Sequence, residues 1–245
     1  MKTKYAVTGS TLKWAAILLM AVDHVGAGIL ENFVLNIWGR SPMGYHFASR
    51  WDAIFAVDGV IRMIGRPAFP IFCFLLVEGF CHTHDVKKYA ARLGVFALVS
   101  EIPFDLALWN QVPKWGYQNV FFTLLIGLLT LAAIQRWGTG VWGRMLVLAA
   151  GAALAEFLHT DYGAFGVLFI GILYLLRYNR KLQCTVGAAC CLWEITAPLA
   201  FLLIWRYNGE RGRQPRWLFY WFYPAHLLLY YAIGAWVLPA VVGVY

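Results

Sequence analysis

The chain has 245 residues, of which 61% are hydrophobic and only 13% are charged, and its formal net charge is +8. Because an ordinary soluble domain carries about a quarter charged residues, this composition excludes that class and indicates a membrane protein. Aromatic residues make up 17% of the chain, which is typical of wide belts at the membrane interfaces.

Apolar runs recur along the whole chain, and a membrane helix needs about 20 largely apolar residues. They predict an all-α membrane protein, a polytopic bundle of about eight transmembrane helices. The bundle forms a single domain over residues 1–245, and the stretch 31–59 is interpreted as a cap outside the membrane. The predicted spans are residues 12–31, 60–81, 89–109, 118–136, 142–159, 163–178, 183–205 and 218–240.

Lysine and arginine in the short loops predict the orientation of the bundle. They precede the first span and lie between the second and third, so the N-terminus is predicted to be cytoplasmic. The segment 206–217 disagrees, because it is rich in arginine and eight spans place it outside. Either 183–205 is a broken or re-entrant segment, or this loop binds something anionic outside. The sequence leaves both alternatives open.

Ionisable residues inside the spans are costly, so they mark function or pair internally. The predicted topology brings one set of polar residues to a similar depth in the outer half of the bundle. This set contains Asp23, His24, Arg62, Arg66, Glu101, Asp105, Asn119, Asp161 and His226. A second, basic set lies at the cytoplasmic ends of the spans and contains Lys13, His82, His84, Lys87, Lys88 and Arg92.

Structural interpretations of both sets stay open. Arg62 and Arg66 are possible partners of Glu101 and Asp105 in buried ion pairs, and His24 belongs equally well to a hydrogen-bond network between helices. The basic set also suits a topology determinant that attracts anionic lipid. The five cysteines form no CxxC pair, and no metal site is predicted.

Several motifs resemble the TraX family in order along nearly the whole chain. They are LKWAAILLMAVDHVG (12–26), RMIGRPAFPIFCFLLVEGFCHT (62–83), KYAARLGVFALVSEIPFDLA (88–107), QNVFFTLLIGL (118–128), DYGAFGVL (161–168), RYNGERG (206–212) and the segment 219–229. The resemblance implies a multi-pass protein of the bacterial inner membrane that acetylates a pilin N-terminus, with acetyl-CoA as donor. The chain is also similar to wider membrane acyltransferases, in which a basic residue precedes a histidine by eleven positions, as Lys13 precedes His24 here.

The resemblance gives the two polar sets expected roles. Lys13, His82, Lys88 and Arg92 are expected to bind the phosphates of acetyl-CoA. His24 is expected to act as general base or to carry the acetyl group, with His226 nearby. Orientation of the imidazole is expected from Asp23, Glu101 or Asp105, and hydrogen bonds to the oxyanion from Arg62, Arg66 or Asn119.

Other partners and functions complete the predictions. The acceptor is an amine or hydroxyl of a pilin-like peptide, a sugar or another small molecule. The lipid bilayer is a partner, nucleic acid is not, and the oligomeric state is open. A transporter or channel with a proton-relay histidine is one alternative, and a structural partner of a pilus or conjugation assembly is another.

Overall fold

The computed structural model describes residues 7–40, 49–213 and 215–242. The helices are α1 (Gly9–His24), α2 (Trp51–Gly65), α3 (Ala68–His82), α4 (Val86–Trp109), α5 (Val120–Trp137), α6 (Gly140–Phe157), α7 (Gly163–Leu175), α8 (Arg180–Cys190), α9 (Ala200–Trp205), α10 (Arg216–Ala232) and α11 (Leu238–Val242). Two segments are π-helical. Val25–Trp38 continues α1, and Ile233–Val237 joins α10 to α11.

Among the described residues, five helical stretches are long and apolar enough to cross a membrane. They are Gly9–Trp38, Trp51–His82, Val120–Trp137, Gly140–Phe157 and Trp217–Val241. The prediction of an all-α polytopic membrane protein is therefore confirmed, with fewer long apolar helices than the sequence indicated.

Two predicted spans are helices that fall outside this set of five. Helix α4 has 24 residues but carries several charges, and α7 is apolar but has only 13 residues. Helix α4 contains Pro103 and continues through it to Trp109. Membrane helices tolerate proline because neighbouring groups satisfy the freed carbonyl.

The predicted span 183–205 is wrong as a single crossing. Helix α8 ends at Cys190, a turn follows, and the chain returns through a 3₁₀ turn and the six-residue helix α9. At its start Arg180 pairs with Glu78 at 3.6 Å, and just after its end Tyr207 forms a β-bridge with Val7. The segment thus enters and leaves on the same face of the bundle, so the re-entrant alternative is correct.

This return places the arginine-rich loop beside the start of α1. The backbone N–H groups of Gly9 and Ser10 donate to the carbonyl oxygens of Glu210 and Arg211, each at 2.9 Å. We call this end of the bundle the N-terminal face and the opposite end the far face. The basic loop therefore lies on the same side as the other basic ends of the helices.

The described parts of the segment 31–59 are mostly helical. Its first part belongs to the π-helical extension of α1 and its last part to α2, while 41–48 lies outside the described residues. The stretch Gly9–Trp38 has 30 residues, or about 45 Å at 1.5 Å per residue, which exceeds a hydrocarbon core of about 30 Å. This stretch is therefore longer than the apolar core.

Local sequence sets the helix starts that position the site. Thr8, Asp85, Asn119 and Asn179 cap α1, α4, α5 and α8, each accepting a backbone N–H with its side-chain oxygen. Helix α3 lies at the centre and packs against α1, α5, α7 and α9. Its apolar residues are buried almost completely, which makes α3 the axis around which the other helices are arranged.

Candidate functional site

A cavity of about 820 Å³ opens at the N-terminal face between α1, α3, α4, α5 and α10. Such a volume is at the large end of the range for small-molecule and cofactor sites. Its mouth combines six basic side chains with two acidic ones, Lys13, His82, His84, Lys88, Arg92 and Arg211 against Glu78 and Asp85. The cavity thus has a predominantly cationic entrance.

Between the helices the cavity is lined mainly by apolar residues, and we call this part the apolar shaft. Phe72, Leu75 and Leu76 of α3 face Leu93 of α4 and Leu124 of α5 along its wall. It reaches Met20 on α1 and Tyr223 on α10 at its deep end. A molecule with an anionic head and a long, weakly polar arm matches this distribution of charge.

A pair of histidines lies next to Met20 and Tyr223, although neither histidine lines the cavity itself. His24 lies one helical turn beyond Met20, and its ring centroid is 5.8 Å from that of Tyr223. Its Nδ1 atom is 2.7 Å from Nε2 of His226, and the two rings are nearly parallel. The two histidines, 202 positions apart in sequence, therefore form one unit beside Tyr223.

The hydrogen bonds of this pair determine which nitrogen carries the hydrogen. Nδ1 of His226 is 2.7 Å from the carbonyl oxygen of Phe222, which can only accept, so His226 donates through Nδ1. In the neutral ring Nε2 of His226 is then the acceptor, and His24 donates to it through Nδ1. The lone pair of His24 Nε2 is left exposed for a reaction, which is the arrangement of a general base or nucleophile.

Asp23 is adjacent to His24 in sequence, but its side chain contacts α2 instead of the histidine pair. It forms an ion pair with Arg62, which also donates to the Asp23 carbonyl oxygen at 3.2 Å. Arg62 pairs as well with Glu31 at 3.1 Å, and Gly65 allows α2 to approach closely, since a Cβ there would overlap Asp23. Asp23 therefore does not orient His24, because adjacent helical residues point about 100° apart.

The second arginine of α2 anchors the re-entrant segment. Arg66 pairs with Glu194 at 3.2 Å, and Thr196 donates to the carbonyl oxygen of Met63. Pairing of either arginine with Glu101 or Asp105, considered from the sequence, does not occur. Rotation of α2 about its axis directs both side chains toward α1 and the re-entrant tip instead.

Three other predicted polar groups have partners of their own. Asn119 donates to Glu101, and also to the carbonyl oxygen of Ala97 at 2.8 Å. Asp105 accepts the backbone N–H of Lys114 at 2.7 Å. Glu101 and Asp105 thus hold the start of α5 and the turn before it, and neither contacts the histidine pair.

Asp161 lies in the turn between α6 and α7, at the far face. It accepts a hydrogen bond of 2.8 Å from the Tyr117 hydroxyl, and burial raises its pKa to about 6. By direct contact the predicted polar set forms separate pairs, in which Asp23 binds Arg62, Asn119 binds Glu101 and His24 meets His226. Only His24 and His226 meet directly beside the cavity.

Sequence reasoning missed two residues that the geometry makes prominent. They are Glu194, which pairs with Arg66, and Tyr223, which lies beside His24. Tyr223 precedes His226 by three positions, a spacing that puts both on one helix face. That spacing was the signal available for finding it.

The chain is similar to known proteins over the residues that form the cavity and the histidine pair. The chain matches the family described as TraX protein over residues 8–234. It is 28% identical over 249 residues to the probable fimbrial assembly protein FimC, serogroup H1, of Dichelobacter nodosus, with 89% of this chain and 92% of that protein covered. No solved structure matches the chain.

Proposed function

The chain belongs to the TraX family, and on this premise we propose that it is an inner-membrane acetyltransferase that uses cytoplasmic acetyl-CoA. One observation carries the proposal. A cavity with a cationic mouth leads through an apolar shaft to Tyr223, beside a histidine whose Nε2 is left with its lone pair. With the N-terminal face in the cytoplasm, the cavity opens toward the compartment that contains the donor.

The proposed donor fits the cavity in charge and in length. The phosphates of acetyl-CoA lie at the mouth, where Lys13, His82, Lys88 and Arg92 provide charge-assisted hydrogen bonds. The pantetheine arm follows the apolar shaft. Lys13 and His24 are eleven residues apart on α1, about 16 Å along a helix, a reach that suits this arm.

In the proposed reaction an acceptor amine attacks the thioester carbonyl carbon. The new C–N bond forms, the C–S bond breaks, and His24 Nε2 takes the proton and passes it to the departing thiolate. Nε2 of His226 accepts a hydrogen bond from the Nδ1–H group of His24 and in this way stabilises the transient imidazolium. The products are an acetamide and CoA with a free thiol.

A two-step route uses the same atoms. His24 Nε2 first attacks the thioester, the thiolate leaves, and the acetylimidazole then transfers its acetyl group to the acceptor. The two routes differ in the absence of acceptor, because only the second releases one thiol per protein and leaves an acetylated histidine. A single-turnover measurement of thiol release therefore separates them.

The acceptor that we propose is the N-terminal amine of a pilin-like peptide. The family resemblance implies this acceptor, and the name of the relative in Dichelobacter nodosus, a probable fimbrial assembly protein, agrees with an association with pili. Amino sugars and other small molecules with an amine or hydroxyl are the comparison acceptors.

The name of that relative also favours a second candidate, an assembly partner of a pilus machine that performs no chemistry. Such a protein would tolerate His24→Ala and would lose its partners when exposed loops change. The enzyme would instead lose turnover in that variant while its fold is preserved.

The test uses the protein in nanodiscs with acetyl-CoA labelled in the acetyl group. Thiol release and label transfer to pilin N-terminal peptides and amino sugars are followed for the wild type and for His24→Ala. His159→Asn is the matched control, because His159 is exposed and has a φ of 52°, which asparagine tolerates. We expect transfer in the wild type and control and a loss of at least about 10²-fold in His24→Ala. Equal turnover in His24→Ala would contradict the proposal.

A further inference from the structure

Acetyl transfer needs a hydrogen-bond donor for the carbonyl oxygen, which becomes negatively charged in the tetrahedral intermediate. The donors expected from the sequence are already engaged. Arg62 binds Asp23 and Glu31, and Arg66 binds Glu194. Arg62 lies on α2 and Arg66 directly follows it, and both side chains are held by these carboxylates.

Asn119 is also occupied. Its amide group donates to Glu101 and to the carbonyl oxygen of Ala97, while its oxygen accepts the backbone N–H of Phe121 at 3.0 Å. Its side chain is fully buried, so a ligand would have to break at least one of these bonds. The donor must therefore come from another residue at the deep end.

Tyr223 has the required position and an unused hydroxyl. It lines the deep end of the cavity, and its ring centroid is 5.8 Å from His24 and 5.7 Å from His226. The residue is only 2% exposed, and its hydroxyl finds no acceptor among the described residues. A buried hydroxyl without a partner costs free energy, so this donor is well placed for a ligand atom in the cavity.

The start of α5 lies beside this donor. Val120, the first residue of the 18-residue helix α5, lines the cavity together with Tyr223. The N-terminus of a helix favours negative charge, so this helix end adds to the stabilisation of a carbonyl oxygen that becomes negative there.

We infer that Tyr223 is a catalytic residue that donates its hydroxyl hydrogen to the thioester carbonyl oxygen of acetyl-CoA. This inference rests on the proposed function. The bond polarises the carbonyl for attack, strengthens as the oxygen becomes negative, and weakens again when the C–S bond breaks. No proton leaves Tyr223 in this sequence, because His24 carries the proton from acceptor to thiolate.

The test observes the carbonyl directly by infrared difference spectroscopy with acetyl-CoA carrying ¹³C at the carbonyl carbon. In the wild-type protein in nanodiscs, the C=O stretch of bound acetyl-CoA is expected to lie below that of the free molecule. Tyr223→Phe keeps the ring and removes only the hydroxyl, so the stretch should return toward the free value. Tyr231→Phe is the matched control on the same helix, since Tyr231 packs against Phe33 and Trp236 away from the cavity.

Kinetics provide a second readout. Tyr223→Phe is expected to lower kcat by about 10²-fold with little change in KM for acetyl-CoA, because the bond is strongest in the transition state. Bound acetyl-CoA with an unshifted carbonyl in the wild type would overturn the role of Tyr223 while the acetyltransferase proposal survives. Unchanged kcat in Tyr223→Phe would also overturn it. Absence of acetyl-CoA binding by the wild type would instead refute the proposed function itself.

Discussion

At the N-terminal face, cationic side chains surround an open cavity, whereas at the far face the arginines of α2 are packed against carboxylates. Arg62 binds Asp23 and Glu31, and Arg66 binds Glu194, so both arginines are paired with carboxylates. The mouth of the cavity has more basic than acidic side chains around about 820 Å³ of space.

The difference separates two uses of charge in a membrane protein. Paired charges determine how the helices and the re-entrant segment pack. Removing one partner leaves the other charge buried and unpaired. An excess of basic over acidic side chains around a cavity attracts an anionic ligand. We therefore expect the arginines at the far face to stabilise the fold and the basic residues at the mouth to bind ligand.

The largest effect on turnover after His24 itself is expected at His226. In His226→Ala the Nδ1 hydrogen of His24 loses its acceptor, so the tautomer with a free Nε2 is no longer selected. We expect kcat to fall by about 10²-fold and the pH profile of kcat to change, while binding of acetyl-CoA is retained. An unaltered profile would show that His226 does not position the base.

At the far face, Arg62→Gln is expected to destabilise the fold without weakening acetyl-CoA binding. Asp23 is 16% exposed and would lose its ion pair, and partners stranded in this way are costly. The midpoint of thermal unfolding should fall by several degrees, since each kcal/mol corresponds to about 2–4 °C in a chain of this size.

The double variant Asp23→Asn, Arg62→Gln is the control for that measurement. It removes both charges, so part of the lost stability should return relative to Arg62→Gln alone. A weaker affinity for acetyl-CoA with an unchanged unfolding midpoint in Arg62→Gln would reverse the comparison between the two faces.

At the mouth, Lys88→Gln and Arg92→Gln are expected to raise the Kd for acetyl-CoA about three- to tenfold each, because each removes an exposed charge near the phosphates. The effect should shrink as salt is added. Lys87→Gln is the matched control, since Lys87 is exposed and adjacent to Lys88 but does not line the cavity. Equal losses in all three variants would indicate a general effect of net charge rather than a site.

The smallest expected effect is a pH dependence at the far face. Burial raises the pKa of Asp161 to about 6 from 3.8, so the folded state favours the protonated form. That contribution to stability is complete below pH 4 and is lost as the pH rises through about 6. The stability of Asp161→Asn relative to wild type should therefore increase between pH 4 and pH 7 in thermal unfolding. A difference that is constant over this range would contradict the raised pKa.

The sequence predicted the helical class and most helix positions because apolar length and capping residues are local signals. It failed at 183–205, where the apolar composition of a span is interrupted by a turn around Glu194. Only the contact between Glu194 and Arg66 explains why the chain can turn there, and that contact joins residues far apart in the sequence.

The candidate site was predicted in the same uneven way. His24, His226 and the basic residues of the mouth were identifiable because ionisable groups near apolar spans are rare. Which groups meet depends on the rotation of each helix about its axis, and residue spacing does not determine it. Glu101 was therefore expected near the base but instead binds Asn119, while Tyr223, an ordinary aromatic in sequence, lies beside His24.

The most direct test of the account is an experimental structure of the protein in nanodiscs with a non-hydrolysable acetyl-CoA analogue. We expect the nucleotide to lie at the mouth near Lys88 and Arg92 and the pantetheine arm to follow the shaft. The carbonyl oxygen should lie within hydrogen-bond distance of the Tyr223 hydroxyl, beside His24. An analogue bound at another surface, or one whose acetyl end points away from the histidine pair, would contradict it.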